Sequence, residues 1–133
     1  MASNRKVGND FESDLCDIFA EHGFWVHNFA QKIAGQPADV IAVRNGKAYL
    51  IDCKFCSNNR FPFSRVEENQ QWSMTVWKNC KNGEGWFALS LKDGRVYMLC
   101  HSLVIALSLH QSSINEELIT HYGIPLKQWI LDH

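Results

Sequence analysis

The sequence contains no apolar run long enough to cross a membrane, since such a span needs about 18 consecutive apolar residues. Its first residues lead directly into polar sequence, without the apolar stretch of a secretory signal. The five cysteines are an odd number at irregular spacing, which favours free thiols over a framework of disulfide bonds. These absences argue against a membrane protein and a disulfide-stapled secreted domain, so we expect a cytoplasmic protein.

An excess of positive charge, the usual mark of a nucleic-acid-binding protein, is also missing. The chain has 13 Lys and Arg against 14 Asp and Glu, for a net charge of −1. The basic residues are unevenly distributed, however, because residues 53–66 include Arg60 and Arg65 and no acidic residue. We therefore expect contacts with DNA phosphates from Arg60 and Arg65, and from an N-terminal arm that carries Arg5 and Lys6.

The length and composition are those of a folded globular protein. The chain has 133 residues, of which 46% are apolar and 20% charged, far from the composition of a disordered segment. A chain of this length buries a sufficient core without disulfide bonds. We expect residues 1–133 to form a single domain.

The spacing of apolar residues predicts alternating helices and strands. Helices are predicted over residues 9–22 and, after a capping box from Ser64 to Glu67, over residues 64–81. Strands are predicted over residues 24–29, 38–43, 48–55, 86–91 and 96–100. One or two helices are expected in residues 102–122, followed by an irregular tail around Pro125. The predicted order is α-β-ββ-α-ββ-α, which indicates an α/β (α+β) fold.

Asn45-Gly46 is the strongest short hairpin signal in the sequence, because a type I′ turn needs a positive φ at both central positions. A two-residue turn here fixes the pairing of the flanking strands and places Asp39 directly opposite Asp52. Residues two apart on a strand share a face, so Lys54 joins the two carboxylates. Two acids and a lysine are thus predicted to converge on one face of the sheet.

Opposed carboxylates repel each other across a strand pair, so this arrangement calls for a cation. Mg²⁺ fits best, because it binds one or two carboxylates, keeps several waters and accepts phosphate oxygens. The predicted chemistry is metal-assisted phosphodiester hydrolysis, in which Asp39 and Asp52 bind the ion and Lys54 orients water or stabilises charge on the phosphate. The alternative is a simple Lys54–Asp52 ion pair at the rim of a hairpin.

Two polar residues beside the apolar stripes of the predicted helices are candidates to assist. Glu12 borders the packed stripe of the first helix and would complete the metal shell, directly or through water. Gln70 lies on the inward stripe of the second helix, where its amide can orient Lys54 or the nucleophilic water. The alternatives are a solvated helix acid for Glu12 and a satisfied core amide for Gln70.

The residues around the predicted hairpin also resemble a known motif. Pro37-Ala38-Asp39, thirteen positions before Asp52-Cys53-Lys54, is similar to the PD-(D/E)xK nuclease motif, and Glu12 matches the acid on that fold's first helix. Further on, Phe61-Pro62-Phe63 followed by Asn69-Gln70 resembles the stretch after the lysine in RecU-type Holliday-junction resolvases. Gln70 then matches the conserved glutamine of those proteins.

This resemblance implies a restriction-endonuclease-like core, with a mixed β-sheet flanked by helices. It also implies dependence on Mg²⁺ or Mn²⁺, held by Asp39, Asp52 and the backbone carbonyl of Cys53, and a homodimer that cuts branched DNA. The expected function is a structure-selective endonuclease of recombination or repair. The alternatives are a restriction-like or repair nuclease on other DNA forms, a catalytically silent DNA-binding module of the same fold, and a protein-interaction domain.

Overall fold

A computed structural model describes residues 4–29, 36 and 38–133 of the chain, and for residues 4–6 and 9 it describes the backbone alone. The helices in these residues are α1 (Asn4–Glu21), α2 (Glu68–Trp77), α3 (His101–Ser108), α4 (Glu116–Tyr122) and α5 (Leu126–Asp132). None of them is both long enough and apolar enough to span a bilayer. The strands are β1 (Trp25–Asn28), β2 (Val40–Arg44), β3 (Lys47–Cys56), β4 (Phe61–Pro62), β5 (Trp86–Leu91), β6 (Val96–Cys100), β7 (Ser113–Ile114) and β8 (Ile124–Pro125).

A six-stranded sheet with the order β1-β2-β3-β5-β6-β8 organises the described residues. β3 and β5 are parallel, whereas every other pair of neighbours in this sheet is antiparallel. Parallel neighbours need a crossover connection, and α2 lies in the one that joins β3 to β5. β4 and β7 pair separately as a short antiparallel ribbon. The predicted fold class, a mixed sheet flanked by helices, is confirmed.

The central strand β3 is covered on both faces. Its residues alternate between the two sides of the sheet, so that Ile51 and Cys53 join a core with α1 and with Trp129 of α5. Leu50 points to the other side, into a core that includes Met74 of α2. Polar side chains on a strand buried in this way need partners, because an unpaired polar group in such surroundings is unfavourable.

The Asn45-Gly46 turn forms as predicted. Asn45 has a φ of 55° and Gly46 a φ of 76°, the positive values that a type I′ turn requires. Arg44 pairs with Lys47 across the turn, so the predicted register of β2 and β3 is confirmed.

The ladder between these strands is shorter than predicted, because it ends at the pair Val40 and Ile51. Asp39 lies just beyond it, with its backbone N–H donating to the carbonyl of Ile51 at 3.2 Å. The predicted strand over residues 38–43 is therefore observed as Val40–Arg44, and Asp39 is next to the sheet rather than within it.

The second helix begins later than predicted, and the proposed capping box at Ser64 is wrong. Ser64 lies in a short 3₁₀ turn, Phe63–Arg65, and α2 begins at Glu68. The capping contact is made three residues further on, where the backbone N–H of Glu67 donates to Gln70 Oε1 at 3.1 Å. Gln70 supplies the acceptor at the third helical position that such a cap needs.

The C-terminal tail, predicted to be irregular, is ordered and packed. The stretch around Pro125 forms β8, an edge strand that pairs with β6, where the missing N–H of a proline is tolerated. α5 follows at once and buries Trp129 completely, with its ring 5.7 Å from that of Phe19 in α1. One or two helices were expected in residues 102–122, and two are present, α3 and α4, of which α3 begins one residue earlier, at His101.

Candidate active site

Asp52 lies in the middle of β3, on the face that α2 covers, and its side chain is completely buried. Burial raises the pKa of this carboxyl well above its usual value; the ammonium of Lys54 lowers it and the neighbouring Asp39 raises it further. Asp52 Oδ1 accepts a hydrogen bond from the Gln70 amide at 2.9 Å. Asp52 Oδ2 forms an ion pair with Lys54, whose Nζ lies 3.1 Å away.

Gln70 connects Lys54 to Asp52. Its Oε1 accepts from Lys54 Nζ at 3.2 Å, while its Nε2 donates to Asp52. The same Oε1 also accepts the backbone N–H of Glu67, which fixes the rotation of the amide at the start of α2. Both ends of the amide are therefore engaged, and Gln70 holds the lysine and the aspartate in one arrangement.

Asp39 directly precedes the first residue of β2, and its side chain approaches Asp52 and Lys54 from there. Its Oδ2 accepts the backbone N–H of Cys53 at 2.8 Å. The carboxylate is thus the acceptor where a backbone carbonyl of β2 would be if the strand pairing continued. The N–H and C=O of one strand residue point to the same neighbour, so the carbonyl of Cys53 is also directed towards Asp39. Asp39, Asp52 and Lys54 are thus brought together, as the hairpin predicted.

Glu12 approaches from the opposite face of the sheet. It is buried on α1, so it is not the solvated helix acid that was one alternative. Its negative charge is among those that, after burial and the charges of Asp39 and Asp52, raise the pKa of the Cys53 thiol. The Cys53 side chain lies in the core beneath α1, so Glu12 acts on β3 from the side of the sheet that α1 covers.

A second set of contacts, which no sequence pattern indicates, holds the chain just before Asp39. Asn69, the neighbour of Gln70 in the first turn of α2, donates from Nδ2 to the backbone carbonyl of Gln36 at 2.9 Å. The side chain of Gln36 in turn donates to the carbonyls of Ala38, at 2.8 Å, and Phe29, at 3.3 Å. Pro37, the first residue of the motif, lies outside the described residues.

The donors available at this place fit a hard divalent cation. Within residues 4–29, 36 and 38–133, no three His, Cys, Asp or Glu side chains lie close enough together to hold a metal ion. The oxygens on offer are the carboxylates of Asp39 and Asp52 and the Cys53 carbonyl, and an ion such as Mg²⁺ needs few protein ligands because it keeps waters. Asp39 and Asp52 bring two negative charges to this place, and the one ammonium of Lys54 offsets them only in part, which favours a further cation.

The two arginines predicted to bind DNA are exposed, and each is anchored by one hydrogen bond. Arg60 Nη1 donates to Ser113 Oγ at 2.7 Å, and Arg65 Nη1 donates to the Phe55 carbonyl at 2.8 Å. A guanidinium has five N–H donors, so these anchors use a small part of its capacity. The side chains of Arg5 and Lys6, the other two predicted contacts, lie outside the described residues.

Comparison with known proteins gives a consistent result. Residues 3–131 match the family model described as "Archaeal holliday junction resolvase (hjc)". The structure is similar to that of Archaeoglobus fulgidus Hjc, a Holliday junction resolvase from an archaeal hyperthermophile, with a TM-score of 0.70. That match has 17% sequence identity and covers 92% of this chain and 99% of the other, which shows a shared fold. No curated protein matches the sequence.

Proposed function

Because the chain belongs to the archaeal Holliday junction resolvase (Hjc) family, we propose that Asp39, Asp52 and Lys54 form the centre at which it cuts DNA. Resolvases of this family are metal-dependent endonucleases of the restriction-endonuclease-like fold. The protein is accordingly a structure-selective nuclease of DNA recombination and repair, and its substrate is a DNA junction.

The divalent metal would be held by Asp39, Asp52 and the Cys53 carbonyl, and we propose that it is Mg²⁺ or Mn²⁺. When bound, such an ion supplies positive charge that activates water and neutralises a phosphate oxygen. The observation that carries this assignment is the convergence of two buried carboxylates, Asp39 and Asp52, on the single ammonium of Lys54. Two buried carboxylates beside one ammonium are unfavourable, and a divalent cation would offset the remaining negative charge.

The remaining residues have distinct proposed roles. Lys54 would donate to the attacking water or to the phosphate, since an ammonium has three donors and its contacts with Asp52 and Gln70 use two. Gln70 would keep Lys54 and Asp52 in the arrangement required for the reaction. Glu12 would act through a bridging water from the α1 side. Arg60, Arg65, Arg5 and Lys6 would bind DNA phosphates.

We further propose that the protein acts as a homodimer, because a junction is resolved by two paired cuts. The exposed face of α2 supports this proposal. Trp72, 68% exposed, and Val76, 39% exposed, lie one helical turn apart on it. Large apolar side chains exposed together mark contact surfaces, and a second copy of the chain is the partner we assign to this one.

We also propose that the chain resembles RecU-type resolvases in particular, on the basis of Phe61-Pro62-Phe63 and Asn69-Gln70. Residues 1–133 act as one nuclease domain. The protein works in the cytoplasm, where its five free thiols would stay reduced.

Cleavage of a labelled four-way junction, compared with linear duplex and single-stranded DNA, tests the proposed centre in Mg²⁺ or Mn²⁺. The variants are Asp39→Ala and Asp52→Asn, with Asp93→Asn as the control, because Asp93 is an exposed acid in the β5–β6 turn. We expect paired symmetric cuts in the junction for the native protein and the control, and none for the two site variants.

Each other outcome has a definite meaning. Cutting that persists in Asp39→Ala would place the reaction elsewhere in the chain. Equal cutting of all three DNAs would remove the selectivity for junctions. No cutting by the native protein with either metal would favour a catalytically silent DNA-binding module.

A further inference from the structure

We propose that Asn69 is a positioning residue, which acts through Gln36 to hold Asp39 where it binds the metal ion. This inference rests on the proposed function, because it takes Asp39 as a metal ligand. It adds a residue that does not itself touch the ion, the DNA or the reacting atoms.

Asp39 needs external support because the β2–β3 ladder ends before it reaches this residue. Its backbone is held on one side by the N–H it donates to Ile51, and on the other by the N–H that Phe29 donates to its carbonyl at 2.9 Å. The position of the backbone that precedes Asp39 then depends on the contacts of residues 36 and 38.

Gln36 restrains this part of the backbone. Its side-chain amide donates to the carbonyls of Phe29 and Ala38, and so ties together the two chain segments that meet at Asp39. Its own carbonyl accepts from Asn69, which ties both segments to α2. Asn69 is thus the contact between the helix and the support of Asp39.

The Asn69–Gln36 contact matters for the site because Asn69 is the neighbour of Gln70 in α2. Gln70 holds Asp52 and Lys54, and Asn69 holds the approach to Asp39, so one turn of a helix fixes both carboxylates. A turn of α-helix has a fixed geometry, so α2 links the backbone before Asp39 to the side chain of Asp52 and restrains the separation that the hairpin sets. Loss of the Asn69 contact should loosen Asp39 relative to Asp52 and weaken metal binding.

The test compares Asn69→Ala with Gln71→Ala, which removes an exposed amide from the same turn of α2. Metal-free protein is titrated with Mn²⁺ in the absence of DNA, and the rise in melting temperature gives the binding midpoint. We expect the midpoint of Asn69→Ala to rise about 2- to 12-fold, the effect of one lost hydrogen bond, and that of Gln71→Ala to stay at the native value.

A cleavage rate and a DNA-binding measurement separate positioning from a general loss of structure. The single-turnover cleavage rate of Asn69→Ala should approach the native rate at saturating Mn²⁺, because excess metal restores the occupied site. Junction binding in EDTA should be unchanged. A single-turnover rate reduced equally at every Mn²⁺ concentration, with an unchanged midpoint, would overturn the proposal.

Two further variants test the route through Gln36. Asn69→His keeps an N–H donor at this place and should return the Mn²⁺ midpoint towards the native value. Gln36→Ala should raise the midpoint, and its effect should not add to that of Asn69→Ala, because residues in one hydrogen-bonded chain act together. A midpoint of Asn69→Ala equal to that of Gln71→Ala, or full additivity with Gln36→Ala, would contradict the inference.

The Asp39→Ala variant keeps this inference separate from the proposed function. If Mn²⁺ still stabilises Asp39→Ala as it does the native protein, Asp39 is not a ligand and the proposed centre fails. If Asp39→Ala loses the stabilisation while Asn69→Ala keeps a native midpoint, the centre stands and only the positioning role fails.

Discussion

The surroundings of Asp52 oppose the ionised form of its carboxyl. Two carboxylates, Asp39 and Asp52, face one ammonium, that of Lys54, in a place with little access to water. The folded protein therefore binds the Asp52 proton more tightly than the unfolded chain does. It follows that the metal-free protein loses stability as the pH rises from the ordinary value of 3.8 through the raised pKa.

Replacement of Asp52 by asparagine should separate stability from activity. We expect Asp52→Asn to raise the metal-free melting temperature at pH 7.5, because it removes a carboxylate that prefers to be protonated, at about 1.4 kcal/mol for each unit of pKa shift. Junction cleavage should fall at least about 100-fold, because the proposed centre would lose one of its metal ligands. Thermal melts in EDTA between pH 4 and 8 check the first expectation. A variant less stable than the native protein at pH 7.5 would contradict it.

At the scale of elements, the β2–β3 turn determines which residues meet. Gly46 has a φ of 76°, and a Cβ added there would meet nothing within 4 Å, so substitution would cost backbone strain and no clash. Gly46→Ala should therefore destabilise the protein by about 1 kcal/mol.

Gly8 in α1 provides the matched comparison for this prediction. A Cβ there also has open space, but the residue lies in a helix, where alanine is preferred by about 0.5–1 kcal/mol. Urea unfolding of Gly46→Ala and Gly8→Ala should give changes of opposite sign in the free energy of unfolding. Equal effects would show that the turn does not demand a positive φ.

The C-terminal helix contributes to the core rather than to the site. Trp129 is completely buried among aromatic rings, whereas Leu131 of the same helix is 70% exposed. Trp129→Ala should cost about 3–5 kcal/mol of unfolding free energy, and Leu131→Ala less than about 0.5 kcal/mol. Urea denaturation measures both; similar losses for the two variants would mean that α5 is not docked as described.

How far the sequence predicts these elements depends on how local their causes are. The Asn45-Gly46 turn determines the register by its own backbone preferences, so the meeting of Asp39, Asp52 and Lys54 could be deduced from residues close in sequence. The burial of Trp129 depends on α1, more than a hundred residues earlier, and no local pattern indicates it. The Asn69–Gln36 contact spans 33 residues and joins a side chain to a backbone carbonyl, which leaves no mark on composition or spacing.

At the scale of the whole molecule, the net charge of −1 limits how DNA can be bound. Phosphate contacts must come from particular cations, and each one displaces counterions from DNA. Arg60→Ala and Arg65→Ala should each lower the slope of log K against log salt for junction binding by about 0.9, and Lys127→Ala, on α5, should not. Binding measured at several salt concentrations in EDTA gives these slopes. Unchanged slopes would remove the two arginines from the interface.

The proposed dimer is tested on the exposed face of α2. Trp72→Glu should convert the protein to a monomer, because it puts a charge into an apolar contact. Leu109→Glu, at a residue that directly follows α3 and is 75% exposed, serves as the control. Light scattering coupled to size exclusion gives the mass of each. A native protein that is already monomeric, or a dimer that survives Trp72→Glu, would contradict this interface.

The parallel pairing of β3 and β5 has a consequence for the order in which the protein becomes able to cut DNA. A hairpin with a two-residue turn closes in microseconds, whereas a parallel pair must wait for its long crossover to close. We expect Asp39 and Asp52 to meet early in folding and Gln70 to dock last with α2. A newly made chain would then acquire its two acids before its lysine is restrained, and would remain harmless to DNA until folding is complete. Pulsed hydrogen exchange that showed α2 protected before the β2–β3 hairpin would reverse this order.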